Sequence, residues 1–217
     1  MSDVEKKDIL VGDKIVTTLV LEGVKDWQDL RIHPEWIDQI LLCRNSSGFI
    51  PTDDDVRRHL HGDVLTIGFR DGTVVGFNSI VFKSPKDVWG GLMPDFPFST
   101  DGGVYFAGAL IDGSAQNSGF YKRMNEERFM NGVRKGLSIV FTETQNPNVE
   151  AGMRSTLELM KSSGTILDYT MDDRLLLPGL YGRCMYAEIP KNDRISYEAL
   201  NYQAGDAYAL VFHLNLI

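Results

Sequence analysis

The stretch from Phe106 to Phe129, FAGALIDGSAQNSGFYKRMNEERF, passes from an apolar run suited to a buried strand, through small residues, into a charged segment with helical spacing. A helix N-terminus presents unpaired main-chain N–H groups and a partial positive charge, and small residues there let a phosphate reach the main chain. Gln116-Asn117-Ser118-Gly119 is therefore a candidate anion cradle. Lys122 and Arg123 follow in the first turn, where cations oppose the helix dipole but favour a bound pyrophosphate. That conflict between local preference and residue choice points to function. The structural alternative is an ordinary loop built on Gly113 and Gly119, with Lys122 and Arg123 as solvated charges. The glycines give neither the Gly-x-Gly-x-x-Gly dinucleotide pattern nor the Walker lysine pattern.

Other residues offer less. His59 and His61 beside Asp53, Asp54 and Asp55 suggest a metal, but an i, i+2 pair faces different sides of a helix and the acids stand about a turn away. A solvated helix end is the better reading, and no metal is expected. His33 precedes Pro34 at a helix start, and His213 lies in an apolar terminal strand. No Gly-x-Ser-x-Gly elbow supports a hydrolase triad. From Lys83 to Gly103 the chain interleaves Pro and Gly with Trp89, Phe96 and Phe98, aromatics that either anchor a long loop on the core or line a substrate site.

The elements that position these residues follow from periodicity. Ile15 to Val24 reads as a strand, Asp26 as a helix cap, and His33 to Arg44 as helical. Thr52 caps a second helix through Leu60. Val64 to Phe69 and Thr73 to Phe82 form a hairpin across Arg70-Asp71-Gly72. Val104 to Ile111, a helix from about Ser118 to Arg134, and Leu137 to Thr142 make a strand, crossover helix and parallel strand. Asn146 caps a further helix with Pro147 in its first turn, ending at Ser163-Gly164. Strand-like runs at Ile166 to Thr170, Tyr181 to Ile189 and Tyr208 to Leu216, with a helical stretch near Tyr197 to Tyr202, complete the tail.

With 43% apolar and 24% charged residues over 217 positions, the chain suits one α/β domain spanning 1–217, with a core about 15–170 and an extension over 171–217. The net charge of -8, without a long basic stripe, argues against nucleic acid. No apolar run reaches the roughly 18 to 20 residues of a membrane span, and the first fourteen residues are too charged for a secretory signal, so a cytoplasmic protein with no membrane partner is expected. Cys43 and Cys184 share no metal-type spacing, and no disulfide is expected.

The ordered set of strand, two helices, hairpin, central strand, Gln-x-x-Gly turn, helix, strand and Asn-opened helix resembles the GNAT acyltransferase superfamily from about Ile15 to Tyr169. Its centre is Gln116-Asn117-Ser118-Gly119-Phe120-Tyr121, similar to the family's Gln/Arg-x-x-Gly-x-Gly/Ala turn, with Tyr121 departing at the last position. The resemblance implies a mixed central sheet flanked by helices, whose parallel pair, Tyr105 to Ile111 and Leu137 to Thr142, splays to admit the pantetheine arm of acetyl-CoA or another acyl-CoA. Main-chain groups of Leu110 and Ile111 would pair with pantetheine amides. Amides from Gln116 to Tyr121, including those of Asn117, Ser118, Gly119 and Phe120, would hold the pyrophosphate, with Lys122 or Arg123 beside it. Asn146 or Asn148 would stand beside the cofactor, although Asn146 reads equally as a helix cap.

The implied chemistry is direct transfer to an amine, in which holding the reactants together supplies most of the rate. The family's proton-donating tyrosine falls at Met160, which donates nothing. Ser155 and Tyr169 are the candidate substitutes, and Asp112 or Glu143 the candidate base. The expected acceptor is a small-molecule or peptide amine, and the enlarged tail either lines an acceptor pocket with its tyrosines, covers a sheet edge or pairs with a second subunit. Alternatives are a relative of long-chain N-acyl amino acid or acyl-homoserine-lactone synthases, or a non-catalytic acyl-CoA-binding or sensing module.

Overall fold

The computed structural model describes residues 4–11, 14–116 and 118–217, so the predicted cofactor contact Asn117 lies outside the described residues. The chain forms two compact units, Met1–Val81 with Ala107–Met124, and Phe82–Phe106 with Asn125–Ile217.

In the first unit, β1 (Val4–Val11), β2 (Lys14–Val24), β3 (Gly62–Arg70) and β4 (Thr73–Lys83) pair antiparallel in succession. The last half of β5 (Gly103–Ile111) follows beside β4. The β3–β4 turn has φ of 51° at Asp71 and 77° at Gly72, the two positive values a tight hairpin needs to match strand twist. Helices α1 (Pro34–Ser47) and α2 (Asp53–Arg58) turn Ile37, Ile40, Cys43 and Val56 onto Leu19, Leu21, Leu65, Ile67 and Phe77. Thr52 and Asp55 close a reciprocal capping box on α2. On another cluster Val16, Val75, Ile111, Ala115 and Met124 surround Phe120, the first residue of α4 (Phe120–Arg134). The Phe120 ring needs glycine at position 68, where a Cβ would stand 2.3 Å from its Cζ.

In the second unit β5 pairs parallel with β6 (Ile139–Thr144) only over Gly103–Tyr105 against Ile139–Phe141, although β6 runs on to Thr144. Just past this pairing, the Thr142 hydroxyl donates to Phe106 O at 3.0 Å. β9 (Ala207–Asn215) lies antiparallel to β6, and β7 (Asp168–Met171) and β8 (Leu175–Leu177) both pair with β9. α5 (Pro147–Ser162) buries Met153, Leu157 and Met160. Strand alternation puts Ile139, Phe141 and Glu143 on one face with Ala209, Val211 and His213. Trp89 and Phe98 close over that face.

Three expectations changed. Residues 26–31 form turns rather than a helix, because Asp26 accepts the Gln28 N–H and Asp29 accepts the N–H and guanidinium of Arg31, local bonds that compete with helix formation. Tyr181 to Ile189 is not a strand: its main chain bonds to the Gln145 amide, which donates to Arg183 O and accepts from Met185 N. The helical stretch near Tyr197 is a single 3-10 turn at Tyr202–Ala204. β1, β8 and the short α3 (Pro85–Trp89), capped by Ser84, were not expected from sequence. Among the described residues, no helix is long and apolar enough to cross a membrane.

Candidate functional site

The turn after β5 belongs to the first unit. Asp112 N–H donates to Val75 O at 2.9 Å, and its carboxylate accepts the Ser114 N–H at 2.9 Å, the Ser114 hydroxyl, and the Ser46 hydroxyl at 2.5 Å. Burial raises the Asp112 pKa, but these donors outweigh it and leave the carboxyl below its ordinary range. Gly113 approaches so closely that a Cβ would stand 2.3 Å from Ser46 O. Gln116 Nε2 donates to Ser47 O at 3.0 Å and Ile111 O at 3.3 Å, stitching the turn to the end of α1. The Ser118 hydroxyl donates to Ala115 O, and Phe120 N–H reaches Ser118 Oγ at 3.4 Å.

The bond from Arg123 N–H to Gly119 O, 3.1 Å, opens α4, so the first-turn amides lie ahead of the helical ladder. Gly119 has φ +87°, and a Cβ added there would meet nothing within 4 Å. The turn is thus open where small residues present main chain. Lys122 is half-buried and Arg123 exposed, while the Phe120 ring is fully buried and Tyr121 packs half-buried on the same cluster. Leu110 and Ile111 bury their side chains in separate clusters. Main-chain amides with two adjacent cations suit a diphosphate.

The second unit holds a carboxylate of different character. Glu143 Oε1 accepts the Tyr105 hydroxyl at 2.5 Å, and Oε2 accepts the Trp89 indole N–H at 3.2 Å. The Tyr181 hydroxyl donates to the Glu143 carbonyl at 3.2 Å. Trp89 is fixed against Phe98 and Phe141, with ring centres 5.6 and 5.1 Å apart, and Tyr105 stacks on Phe141 at 5.3 Å. Loss of hydration pushes the Glu143 carboxyl above its ordinary range despite both donors. Burial, then the Glu143 charge, pushes the Tyr105 phenol up, so it stays a donor. The residue as a whole is only partly covered, but its carboxylate is desolvated and oriented by its two donors. Such a group is a stronger base than a hydrated one.

The remaining candidates lie elsewhere. Ser155 is exposed on α5. Tyr169 donates to Glu158 Oε1 at 2.8 Å, on the sheet face opposite Glu143, with its pKa pushed up to about 12 by burial and then by that bond. Asn146 caps α5 by accepting the Asn148 N–H at 2.9 Å, and the Asn148 side chain bonds Lys191 O and Asn192. Met160, where the family's tyrosine would fall, is buried. His59 is half-buried, and loss of hydration lowers its pKa despite its bond to Asp55 O. Sequence reasoning missed Tyr105 and the indole donor of Trp89. Their signals were a hydroxyl in an otherwise apolar strand and an aromatic residue in a capped Pro-Lys-Asp-Val-Trp segment.

No family profile matches the sequence, and no curated protein matches it either. Solved structures do. The chain is similar to Naa20 of Chaetomium thermophilum in complex with a bisubstrate analogue, with TM-score 0.50 and 14% identity over 82% of this chain and 82% of that one. It is similar as well to the ribosomal-protein-S18-alanine N-acetyltransferase of Escherichia coli, with TM-score 0.50 and 9% identity over 92% and 96%. Together with the strand order, the parallel pair whose ladder ends early and the turn that opens α4, these likenesses show that the chain has the fold of the GNAT acyltransferase superfamily.

Proposed function

We propose that the protein is an acyl-CoA-dependent N-acyltransferase, most simply an acetyltransferase, acting on an amine of a small molecule or peptide. The observation that carries this reading is Glu143, a carboxylate stripped of water and held by Tyr105 and Trp89. A carboxylate kept basic at a strand end serves amine chemistry, because an ammonium group must lose a proton before its nitrogen can attack. Glu143 accepts that proton in this reading, and Tyr105 and Trp89 are positioning residues that fix its lone pairs. Amides of Ser118 to Tyr121, with Lys122 and Arg123, would hold the diphosphate of the cosubstrate, and main chain at Leu110 and Ile111 its pantetheine amides. When bound, acyl-CoA supplies an activated thioester. Asp112 is left to its turn, whose donors already occupy it.

Thermal shift with acetyl-CoA and longer acyl-CoAs, followed by thiol release over an amine panel, tests the proposal. Glu143→Gln should keep the acyl-CoA shift and lose about 10²- to 10⁴-fold in turnover, the usual contribution of a general base. Absence of any acyl-CoA shift, or undiminished turnover in Glu143→Gln, overturns it. An acyl-CoA shift with no turnover on a broad panel turns the reading into a sensing module.

A further inference from the structure

A pocket of about 100 Å³ opens in the second unit. Ala209, Val211 and His213 of β9 form its floor, on the same sheet face as Glu143. Trp89 and Phe98 wall one side, and Asp172 and Asp173, in the link between β7 and β8, stand at another. Two features join the pocket to Glu143. Ala209 is the direct cross-strand partner of Glu143, and Trp89 both lines the pocket and donates its indole N–H to that carboxylate.

The lining selects a ligand chemistry. Both Asp172 oxygens lie 3.1 Å from His213 Nε2, whereas the Asp173 carboxylate makes no hydrogen bond or ion pair among the described residues. Carboxylates repel an anion, and a neutral apolar ligand would leave them unused. A primary ammonium on an apolar stem satisfies both parts of the lining, the charge through the carboxylates and the stem through the apolar side chains.

We propose that this pocket holds the non-reacting ammonium of an aliphatic diamine acceptor, an inference that rests on the acyltransferase reading. A nitrogen held as ammonium between carboxylates has no lone pair to attack with, so the acylated nitrogen is the other one. Asp172 N–H bonds Val211 O, which places it two residues along β9 from Ala209 and across one strand spacing, with Glu143 one spacing away on the other side. At roughly 3.3 Å per residue and 4.8 Å per strand, the two acidic positions are on the order of 12 Å apart along the sheet, and in this proposal a stem of several carbons passing beside Trp89 separates the two nitrogens.

The test uses 1,7-diaminoheptane and 7-amino-1-heptanol, which share a reacting amine and differ in the far group. Calorimetric titration should show the diamine binding the wild type at least tenfold more tightly than the aminoalcohol, and Asp173→Asn erasing that margin, as loss of a charge-assisted bond predicts. Asp173 is exposed and makes no bond among the described residues, so the variant keeps the fold, and Asp101→Asn, outside the pocket, should bind like the wild type. In turnover the margin should lie in KM with kcat retained. Equal binding of both probes, or unaltered diamine binding by Asp173→Asn, overturns the proposal even where acetyl-CoA still shifts the melting temperature. Diamine binding lost in Asp173→Asn, but with no acyl-CoA shift, keeps the cation pocket and overturns its role as acceptor site together with the acyltransferase reading.

Discussion

Glu143 makes a prediction that needs no substrate. Its folded pKa is raised because the fold withholds water from the charged form, so the ionised carboxylate costs stability. A raised folded pKa means that the contribution to stability is fully present below the unfolded value, about 4.3 for Glu, and is lost as pH climbs through the folded value. Glu143→Gln removes the titration. The wild type should therefore lose stability relative to the variant at up to about 1.4 kcal/mol per pH unit above pH ~4.3, until the folded pKa is passed and the difference levels off. A constant term is superimposed. Glutamine has one carboxamide oxygen for two donors, Tyr105 O–H and Trp89 N–H, so one bond worth about 0.5–1.5 kcal/mol is lost at every pH. Urea unfolding of both proteins from pH 4 to 8 measures the difference. A flat difference, or a wild type that gains on the variant as pH rises, would refute the claim that Glu143 is a desolvated, functionally strained carboxylate.

Glu150 predicts the opposite sign. It is fully buried, and Arg154, Arg174 and Tyr197 donate to it, which outweighs burial and lowers its pKa. Glu150→Gln should lose about 2–3 kcal/mol near neutral pH, discounted from a fully buried pair because both arginines are partly exposed, and that loss should shrink as pH falls through the depressed folded value; chemical unfolding checks it. Gly76→Ala puts a Cβ 2.6 Å from Leu110 O and should cost about 1–3 kcal/mol in unfolding while weakening acyl-CoA binding by titration calorimetry, since Leu110 main chain is displaced. Lys122→Glu should weaken acetyl-CoA binding at least tenfold at low salt and reduce its salt dependence, as the loss of a phosphate-facing cation would.

The strand–turn–helix from β5 to α4 was legible because its signals are local. A strand, a small-residue turn and a helix follow one another within Phe106 to Phe129, and the Thr52, Asn146 and Pro147 helix starts, like the Asp71-Gly72 hairpin, are fixed by neighbours in sequence. The carboxylate sites were not legible as units, because their partners come from afar. Tyr105 and Trp89 stand 38 and 54 positions from Glu143, and Tyr197 stands 47 from Glu150. No periodicity reports such pairings. The tail was misread where Gln145 supplies side-chain bonds that a strand would have taken from a neighbouring backbone.

The central claim is that main chain at the start of α4 grips the diphosphate of an acyl-CoA. Hydrogen–deuterium exchange of the protein with and without saturating acetyl-CoA measures it directly. The account predicts slowed exchange at the amides of Ser118 to Tyr121, abolished when dephosphorylated pantetheine replaces the cofactor. Acetyl-CoA bound at saturation with exchange at those amides unchanged would contradict it.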